Sequence, residues 1–259
     1  HGKRTGQVLF EGVPLEQVSQ RDQSAKIGYV MQNPDAQVVT DKVWHELAFG
    51  LESLGCDQRT MRLRVAEMAS YFGIQGWFHK DVKELSGGQK QLLNLASIMA
   101  MQPSVLVLDE PTSQLDPIAA ADFLNTVRKI NLELGTTIIL SEHRLEETFS
   151  AADRVLVMKQ GCILADGEPH EVGQRLIVAK DEMAAALPAP MRIFYGVNSG
   201  AKSAQVEARD CPLTVREGRT WLTRNFSDIP ADARAMPDAQ AYEETDDNIV
   251  LSFKDVWFR

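Results

Sequence analysis

The sequence predicts an α/β fold with a mainly parallel sheet, because strand-like and helix-like segments alternate along residues 7–165. Residues 105–108 are wholly apolar, which is typical of a parallel strand covered on both faces. Residues 136–140 are predicted to form another buried strand. Between them, residues 118–134 have the apolar spacing of an amphipathic helix. A helix between two such strands is the connection that parallel pairing requires.

Local patterns predict the remaining elements. Val43, Leu47 and Leu51 are spaced four apart, which predicts a helix that ends at Gly55. An Asn-Pro pair at 33–34 ends the strand before it, because that pair favours a turn. The other predicted elements are strands at 7–11 and 26–31, helices at 41–54, 57–72, 89–101 and from 145, and a hairpin of 155–158 with 163–165.

Composition and charge exclude several classes of protein. The 259 residues carry a formal net charge of −9, which argues against a nucleic-acid surface. No run approaches the ~18 apolar residues of a membrane-spanning helix. Any membrane role is therefore predicted to be peripheral, through a partner subunit. Cys56, Cys162 and Cys211 form no CxxC pair and are predicted to be reduced thiols.

Two carboxylates follow the apolar strand at 105–108. Ligands of open α/β sheets bind at the carboxyl ends of the strands, which is where Asp109 and Glu110 are expected. Asp109 is a candidate ligand for Mg²⁺, directly or through water. Glu110 is a candidate to polarise an attacking water. The alternative is an acidic strand terminus that faces solvent.

A glycine-containing segment precedes the helix predicted at 89–101. Its glycines allow close approach of the backbone, and a helix N-terminus presents free N–H groups that favour a phosphate. The alternative is a flexible loop with a serine N-cap. The candidate binding residues are Ser86, Gly87, Gly88 and Gln89.

Gln32 and His143 follow two other predicted strands. Each is expected at the same edge of the sheet as Asp109 and Glu110, where His143 can contact a γ-phosphate and Gln32 can complete a magnesium or water shell. Taken alone, a single histidine is usually structural, and a single glutamine in a loop indicates little.

The order of these residues resembles that of ATP-binding cassette (ABC) ATPases over about residues 7–167. Gln32, LSGGQ at 85–89, VLVLDE at 105–110, SQLD at 113–116 and His143 occur in the family's sequence of motifs. The resemblance implies a P-loop NTPase fold with ATP and Mg²⁺ as cofactors. It also implies residue roles: Q-loop for Gln32, signature for Ser86, Gly87, Gly88 and Gln89, Walker B for Asp109 and Glu110, D-loop for Asp116, and switch histidine for His143.

A narrower resemblance joins the chain to energy-coupling-factor and cobalt-type importer ATPases. It lies in QNPDAQ at 32–37 and ELAFGL at 46–51, and SEHRLE at 141–146 is similar to versions with two cassettes in one chain. The implied division is an ABC ATPase domain at 1–170 with a helical subdomain at about 41–84, an inter-domain linker at 171–247, and the first strand of a second ABC ATPase domain at 248–259. The alternative for 171–259 is a poorly constrained extension.

The chain contains no G-x-x-x-x-G-K-[ST] sequence, the loop that holds nucleotide phosphates. GKRT at 2–5 is similar, but Arg4 stands where Ser or Thr is required, and a strand rather than a helix is predicted to follow. We therefore expect an N-terminally truncated ABC domain. We expect this segment alone to bind ATP weakly or not at all and to be inactive. We also expect it to be marginally stable or prone to aggregate, because apolar strands would lack a neighbour.

The resemblance implies an ATPase that powers uptake by an energy-coupling-factor-type transporter, through head-to-tail closure of two cassettes. The implied partners are a second ABC ATPase domain, in the same chain or another subunit, a transmembrane coupling subunit and a substrate-binding membrane subunit, at the cytoplasmic face of the cell membrane. No nucleic-acid partner is expected. Two alternatives stay open: a soluble ABC-class ATPase outside transport, and a non-hydrolysing regulatory cassette.

Overall fold

The computed structural model describes residues 5–143, 145–198 and 208–226. Strands and helices alternate through these residues, as the sequence predicts. The strands are β1 (Leu9–Phe10), β2 (Val13–Pro14), β3 (Ile27–Val30), β4 (Val105–Asp109), β5 (Thr137–Ser141), β6 (Val155–Lys159) and β7 (Cys162–Gly167). The α-helices are α1 (Gln20–Lys26), α2 (Pro34–Gln37), α3 (Val43–Ser53), α4 (Gln58–Tyr71), α5 (Gly87–Ala100), α6 (Pro117–Leu134), α7 (Leu145–Thr148), α8 (Pro169–Val178), α9 (Ala189–Val197) and α10 (Val215–Phe226).

The parallel sheet consists of β3, β4 and β5, with β4 in the middle. Leu108 of β4 pairs with Val30 on one side and with Leu140 on the other, so the three strands end in register. Parallel strands need a crossover connection, usually a helix. Helix α5 lies in the connection from β3 to β4, and α6 lies in the connection from β4 to β5. The side chains that follow the three strands therefore emerge at one edge of the sheet.

Helix α5 forms the centre of the core. It contacts α3, α4 and β3, and Leu93, Leu95 and Met99 on it are almost completely buried. A helix that is apolar around most of its circumference is stable only when it is buried on most sides. Lys42 and Asp81 pair across the base of the segment that contains α3 and α4, which closes that segment onto itself.

Strand β5 differs from its prediction. Residues 136–140 are predicted to be buried, but Ile139 is 57% exposed. Within the described residues β5 pairs only with β4, so its outer edge has no neighbour there. Leu106 and Leu108 on the middle strand are fully buried, as predicted, but Val105 and Val107 on its other face are only partly buried.

Two other boundaries are corrected. The helix predicted from residue 89 begins at Gly87, because Ser86 caps it and the glycines form its first turn. The strand predicted at 7–11 is limited to Leu9–Phe10, which pairs with β2 in a tight turn.

The segment predicted as a linker contains regular structure in its described part. Helices α8 and α9 bury Leu176 and Phe194 respectively, as amphipathic helices do. The strand predicted at 248–259 lies outside the described residues. None of the described helices combines the length and the apolar character needed to cross a membrane.

Candidate functional site

Four of the predicted site residues lie at the carboxyl edge of the parallel sheet. Asp109 ends β4 and pairs in register with Ser141 at the end of β5. Glu110 follows β4 at once, and Gln32 and His143 each lie two residues beyond the ends of β3 and β5. The common register of the strands brings these side chains together, as the sequence predicts.

Glu110 is the centre of a hydrogen-bonded group that we call the strand-end cluster, comprising Gln32, Glu110 and His143. Gln32 Nε2 donates to Glu110 Oε2 at 2.9 Å, and His143 Nε2 lies 2.9 Å from Glu110 Oε1. The Glu110 side chain is 29% exposed and that of His143 is 83% exposed. The carboxylate is therefore fixed on both oxygens while its surroundings stay accessible to water.

The backbone at Glu110 is in the left-handed region, with φ of 44°. That conformation is costly for a residue with a long side chain and is commonest at functional positions. The Glu110 N–H donates to Ser141 O at 3.0 Å, which extends the ladder between β4 and β5 by one bond. The turn directs the carboxylate toward His143 on the neighbouring strand end.

Asp109 is exposed and has a different partner. The hydroxyl of Tyr29 donates to Asp109 Oδ2 at 3.0 Å, and this bond raises the pKa of Tyr29. No group of three or more His, Cys, Asp and Glu within the described residues forms a metal site. Mg²⁺ with a nucleotide nevertheless needs only one or two carboxylates, since phosphates and water complete its shell. Asp109 together with the amide oxygen of Gln32 fits that donor set.

A second bridge links the strand ends and is absent from the sequence-based prediction. The hydroxyl of buried Thr112 donates to Glu142 Oε2 at 2.8 Å, and the His143 N–H donates to Glu142 Oε1 at 3.1 Å. Glu142 thus connects the turn after Glu110 with the backbone of His143. The one sequence signal for these residues is their position: Thr112 lies two residues after Glu110, and Glu142 directly precedes His143.

The residues predicted to form the signature make local contacts, and we call residues 86–89 the signature turn. Ser86 N donates to Gln89 Oε1 at 2.9 Å, and Gln89 N donates to Ser86 Oγ at 3.3 Å, which is a capping box. A Cβ on Gly87 would meet no atom within 4 Å, whereas one on Gly88 would lie 3.1 Å from Ala119. Gly87 therefore leaves open space at the mouth of α5, and Gly88 permits close packing on α6.

Asp116 likewise has a structural contact. Its carboxylate accepts hydrogen bonds from Ile118 N and Ala119 N at 3.0 and 2.9 Å and so caps α6. Its predicted role at a nucleotide remains a prediction, because this geometry explains the residue without one.

The strand-end cluster has the components of a hydrolytic site. Glu110 can accept a proton from water, His143 can donate to an oxyanion, and Asp109 can hold a divalent cation beside them. Two acids after the middle strand of a parallel sheet, flanked by polar residues from neighbouring strands, define an α/β nucleotide hydrolase of the P-loop class.

Known proteins are similar in sequence to most of this chain. Residues 2–113 match the family described as ABC transporter. A protein of Bacillus thuringiensis subsp. konkukian (strain 97-27), provisionally named an ABC transporter ATP-binding protein, is 45% identical over 228 residues, 88% of this chain and 39% of that protein. A similarly described protein of Methanosarcina acetivorans is 36% identical over 221 residues, 83% of this chain and 67% of that protein.

A solved structure agrees with these relatives. CbiO1 from Clostridium perfringens, described as part of the ABC transporter complex CbiONQ, matches with a TM-score of 0.61 and 30% identity, covering 76% of this chain and 73% of that one. The chain belongs to the family of ABC transporter ATP-binding proteins. The P-loop NTPase fold that the sequence predicts is thereby confirmed. The chain spans 39% of the length of the Bacillus thuringiensis relative.

Proposed function

We propose that this chain contributes ATP binding and hydrolysis to an importer of the energy-coupling-factor type. The observation that carries the proposal is the strand-end cluster, in which Gln32 and His143 each bond one oxygen of Glu110. A carboxylate held at both oxygens and partly open to water suits a group that orients and deprotonates a nucleophile. The similarity of this chain to CbiO1, which is described as part of the CbiONQ complex, supports the energy-coupling-factor type.

The residues divide the chemistry among themselves. Glu110 would orient the attacking water and accept its proton at a carboxylate oxygen, while Gln32 fixes the rotamer of that carboxylate. His143 Nε2, which contacts Glu110 Oε1 in this structure, would turn to donate to the γ-phosphate as negative charge develops there. Asp109, with Gln32, would hold Mg²⁺, which neutralises charge on the β- and γ-phosphates.

The signature turn would serve an ATP held by a second cassette in a head-to-tail pair. The N–H groups of Ser86 and Gln89 are used within the turn, so the N–H groups of Gly87 and Gly88 and the space at Gly87 would serve the anion. Asp116 would lie beside the same interface as the D-loop residue. The second cassette would belong to the same chain, with residues 248–259 as its first strand, or to another subunit.

An exposed apolar surface supports a membrane partner. Val39 is 62% exposed, Trp44 is 42% exposed and Phe49 is 38% exposed. Trp44 and Phe49 belong to α3, and Val39 precedes that helix by four residues. Aromatic residues on a surface are enriched in protein interfaces. We propose that this surface docks a transmembrane coupling subunit, which works with a substrate-binding membrane subunit, and that the chain lies at the cytoplasmic face of the membrane.

The domain division accompanies this proposal. Residues 1–170 would form the ABC ATPase domain, with a helical subdomain at about 41–84, and residues 171–247 would connect it to the second cassette. The closed segment around α3 and α4 supports the subdomain. Helices α8 and α9 show that the connecting region is partly folded.

The catalytic part is tested by Glu110→Gln in the full-length gene product. The amide preserves size but cannot accept the proton, so we expect ATP binding to persist while phosphate release falls about 10²- to 10⁴-fold, the range for a general base. Glu67→Gln, an exposed carboxylate on α4, is the matched control. Unchanged phosphate release from Glu110→Gln would remove Glu110 from catalysis.

The transport part is tested by purification of the gene product from membranes under mild detergent. Association with integral membrane subunits, reduced by Trp44→Glu, is the expected result. Association with ribosomes instead would support a soluble ABC-class ATPase. ATP binding without any hydrolysis by the wild type would support a regulatory cassette.

A further inference from the structure

Side chains of α5 bind the backbone of the loop that carries Gln32. Gln91 Nε2 donates to Met31 O at 3.0 Å, and Asn94 Nδ2 donates to Pro34 O at 3.0 Å. On the outer side of the same helix, Lys90 Nζ lies 2.7 Å from Asp35 Oδ1. The loop after β3 is therefore attached to α5 at three successive points.

Gln91 makes a further contact that Asn94 and Lys90 do not. The same Nε2 also donates to Pro111 O, at 3.1 Å, so one amide nitrogen joins two separate loops. Met31 immediately precedes Gln32, and Pro111 immediately follows Glu110. Both partners are carbonyl oxygens, so only the NH₂ end of the side chain can serve them.

The environment of Gln91 makes this contact hard to replace. Gln91 is fully buried, and loss of its donor would leave the buried Pro111 carbonyl and the partly buried Met31 carbonyl without that hydrogen bond. The bond to Pro111 O also holds the residue that follows the left-handed turn at Glu110. A strained turn persists only where its surroundings fix it from several sides.

We propose that Gln91 is a positioning residue that sets the spacing between Gln32 and Glu110 and ties both to the helix of the signature turn. Gln91 lies one helical turn after Gly87, so a displacement at the mouth of α5 would reach both loops through this one amide. The effect of Gln91 on hydrolysis rests on the proposed function, whereas its effect on the position of the two loops does not.

Three variants of the full-length gene product separate the contacts. Gln91→Met removes the amide at similar length, and Gln91→Asn keeps an amide that is one methylene too short to reach both carbonyls. Asn94→Ala removes a contact to the Gln32 loop alone. Ser97→Ala is the control, because the Ser97 hydroxyl donates to Asn94 O within the same helix, at 2.9 Å, and not to either loop among the described residues.

Hydrogen–deuterium exchange provides a readout that is independent of ATP. The reporters are Met31 N–H, bonded to Gln37 Oε1 at 2.8 Å, and Ser113 N–H, bonded to Glu110 O at 3.1 Å. We expect Gln91→Met to accelerate exchange in both segments, Asn94→Ala to accelerate it only around Met31, and Ser97→Ala to change neither. Exchange in Gln91→Met equal to that of the wild type overturns the proposal. Acceleration in only one segment also overturns it. If Gln91→Met does not fold, the same two outcomes are read from Gln91→Asn.

The kinetic readout is the split between kcat and KM for ATP. Misplacement of Glu110 should lower kcat about 10-fold or more in Gln91→Met, whereas KM for ATP should change less than kcat, because Gln32, the proposed Mg²⁺ ligand, keeps its side chain. A purely structural defect would instead lower the active fraction in proportion to unfolding and would appear equally in its melting curve. A wild type without hydrolysis would contradict the proposed function, and the exchange data would still decide the position of Gln91.

Discussion

The strand-end cluster and the signature turn differ in how they are built. The bonds at Glu110 join residues 78 and 33 positions apart, whereas those of the signature turn join Ser86 and Gln89, three positions apart. The cluster thus depends on the fold, and its members bond to one another within this chain. The hydrogen bonds of the signature turn are local, and Ser86 and Gly87 are exposed, which the proposed contact with a second cassette requires.

After Glu110→Gln, the largest effect is expected for His143→Ala, which breaks the cluster. Loss of Nε2 removes a bond to Glu110 and the proposed donor to the γ-phosphate, so ATP hydrolysis by the full-length gene product should fall about 10²- to 10³-fold. Phosphate release is the measurement, with nucleotide binding measured in parallel. His79→Ala, at an exposed histidine outside the cluster, should retain wild-type hydrolysis.

The glycines of the signature turn sharpen the comparison. Gly87→Ala places a methyl in open space, so the fold should be unaffected, but the anion site narrows and hydrolysis should fall about 10-fold. Gly88→Ala would press on Ala119, so its main effect should be a lower Tm. Melting curves and phosphate release for both variants are the measurements. Loss of Tm in Gly87→Ala would show that the turn is packed rather than open.

Thr112→Val tests whether the cluster depends on the bridge to Glu142. Removing the hydroxyl leaves a charged acceptor without its buried donor, which should lower the free energy of unfolding by about 1–3 kcal/mol. Urea unfolding curves give that quantity. Thr112→Ser keeps the hydroxyl and should recover most of the loss; an equal loss in both variants would assign the effect to packing of the methyl group.

The smallest effect is expected outside both regions. Burial raises the pKa of the Cys211 thiol to about 12, so at pH 8 only about 10⁻⁴ of it is thiolate, the reactive form. Exposed Cys162 should therefore be alkylated by iodoacetamide well before Cys211, as followed by mass spectrometry. Because the pKa is raised, alkylation of Cys211 should accelerate as the pH rises toward 12. Equal rates at pH 8 would show that Cys211 is accessible.

The members of the cluster could be predicted from sequence, but the links between them could not. Apolar strands followed by Gln32, Glu110 and His143 place those residues at one edge, since parallel strands share their carboxyl ends. The bridge from Thr112 to Glu142 and the double contact of Gln91 depend on side-chain packing among three elements, which local patterns do not contain. The exposure of Ile139 was missed for a similar reason, because an apolar strand has the same sequence whether it is central or at an edge.

The left-handed backbone at Glu110 sets the proposed catalytic role of that residue against the stability of the fold. A glutamate with φ of 44° carries a local cost of about 1–3 kcal/mol, which asparagine or glycine would reduce. A copy of this sequence released from the need to hydrolyse ATP would gain stability by replacing that glutamate. Asparagine or glycine at this position in a related chain would therefore indicate a cassette that no longer hydrolyses ATP and has a more stable fold.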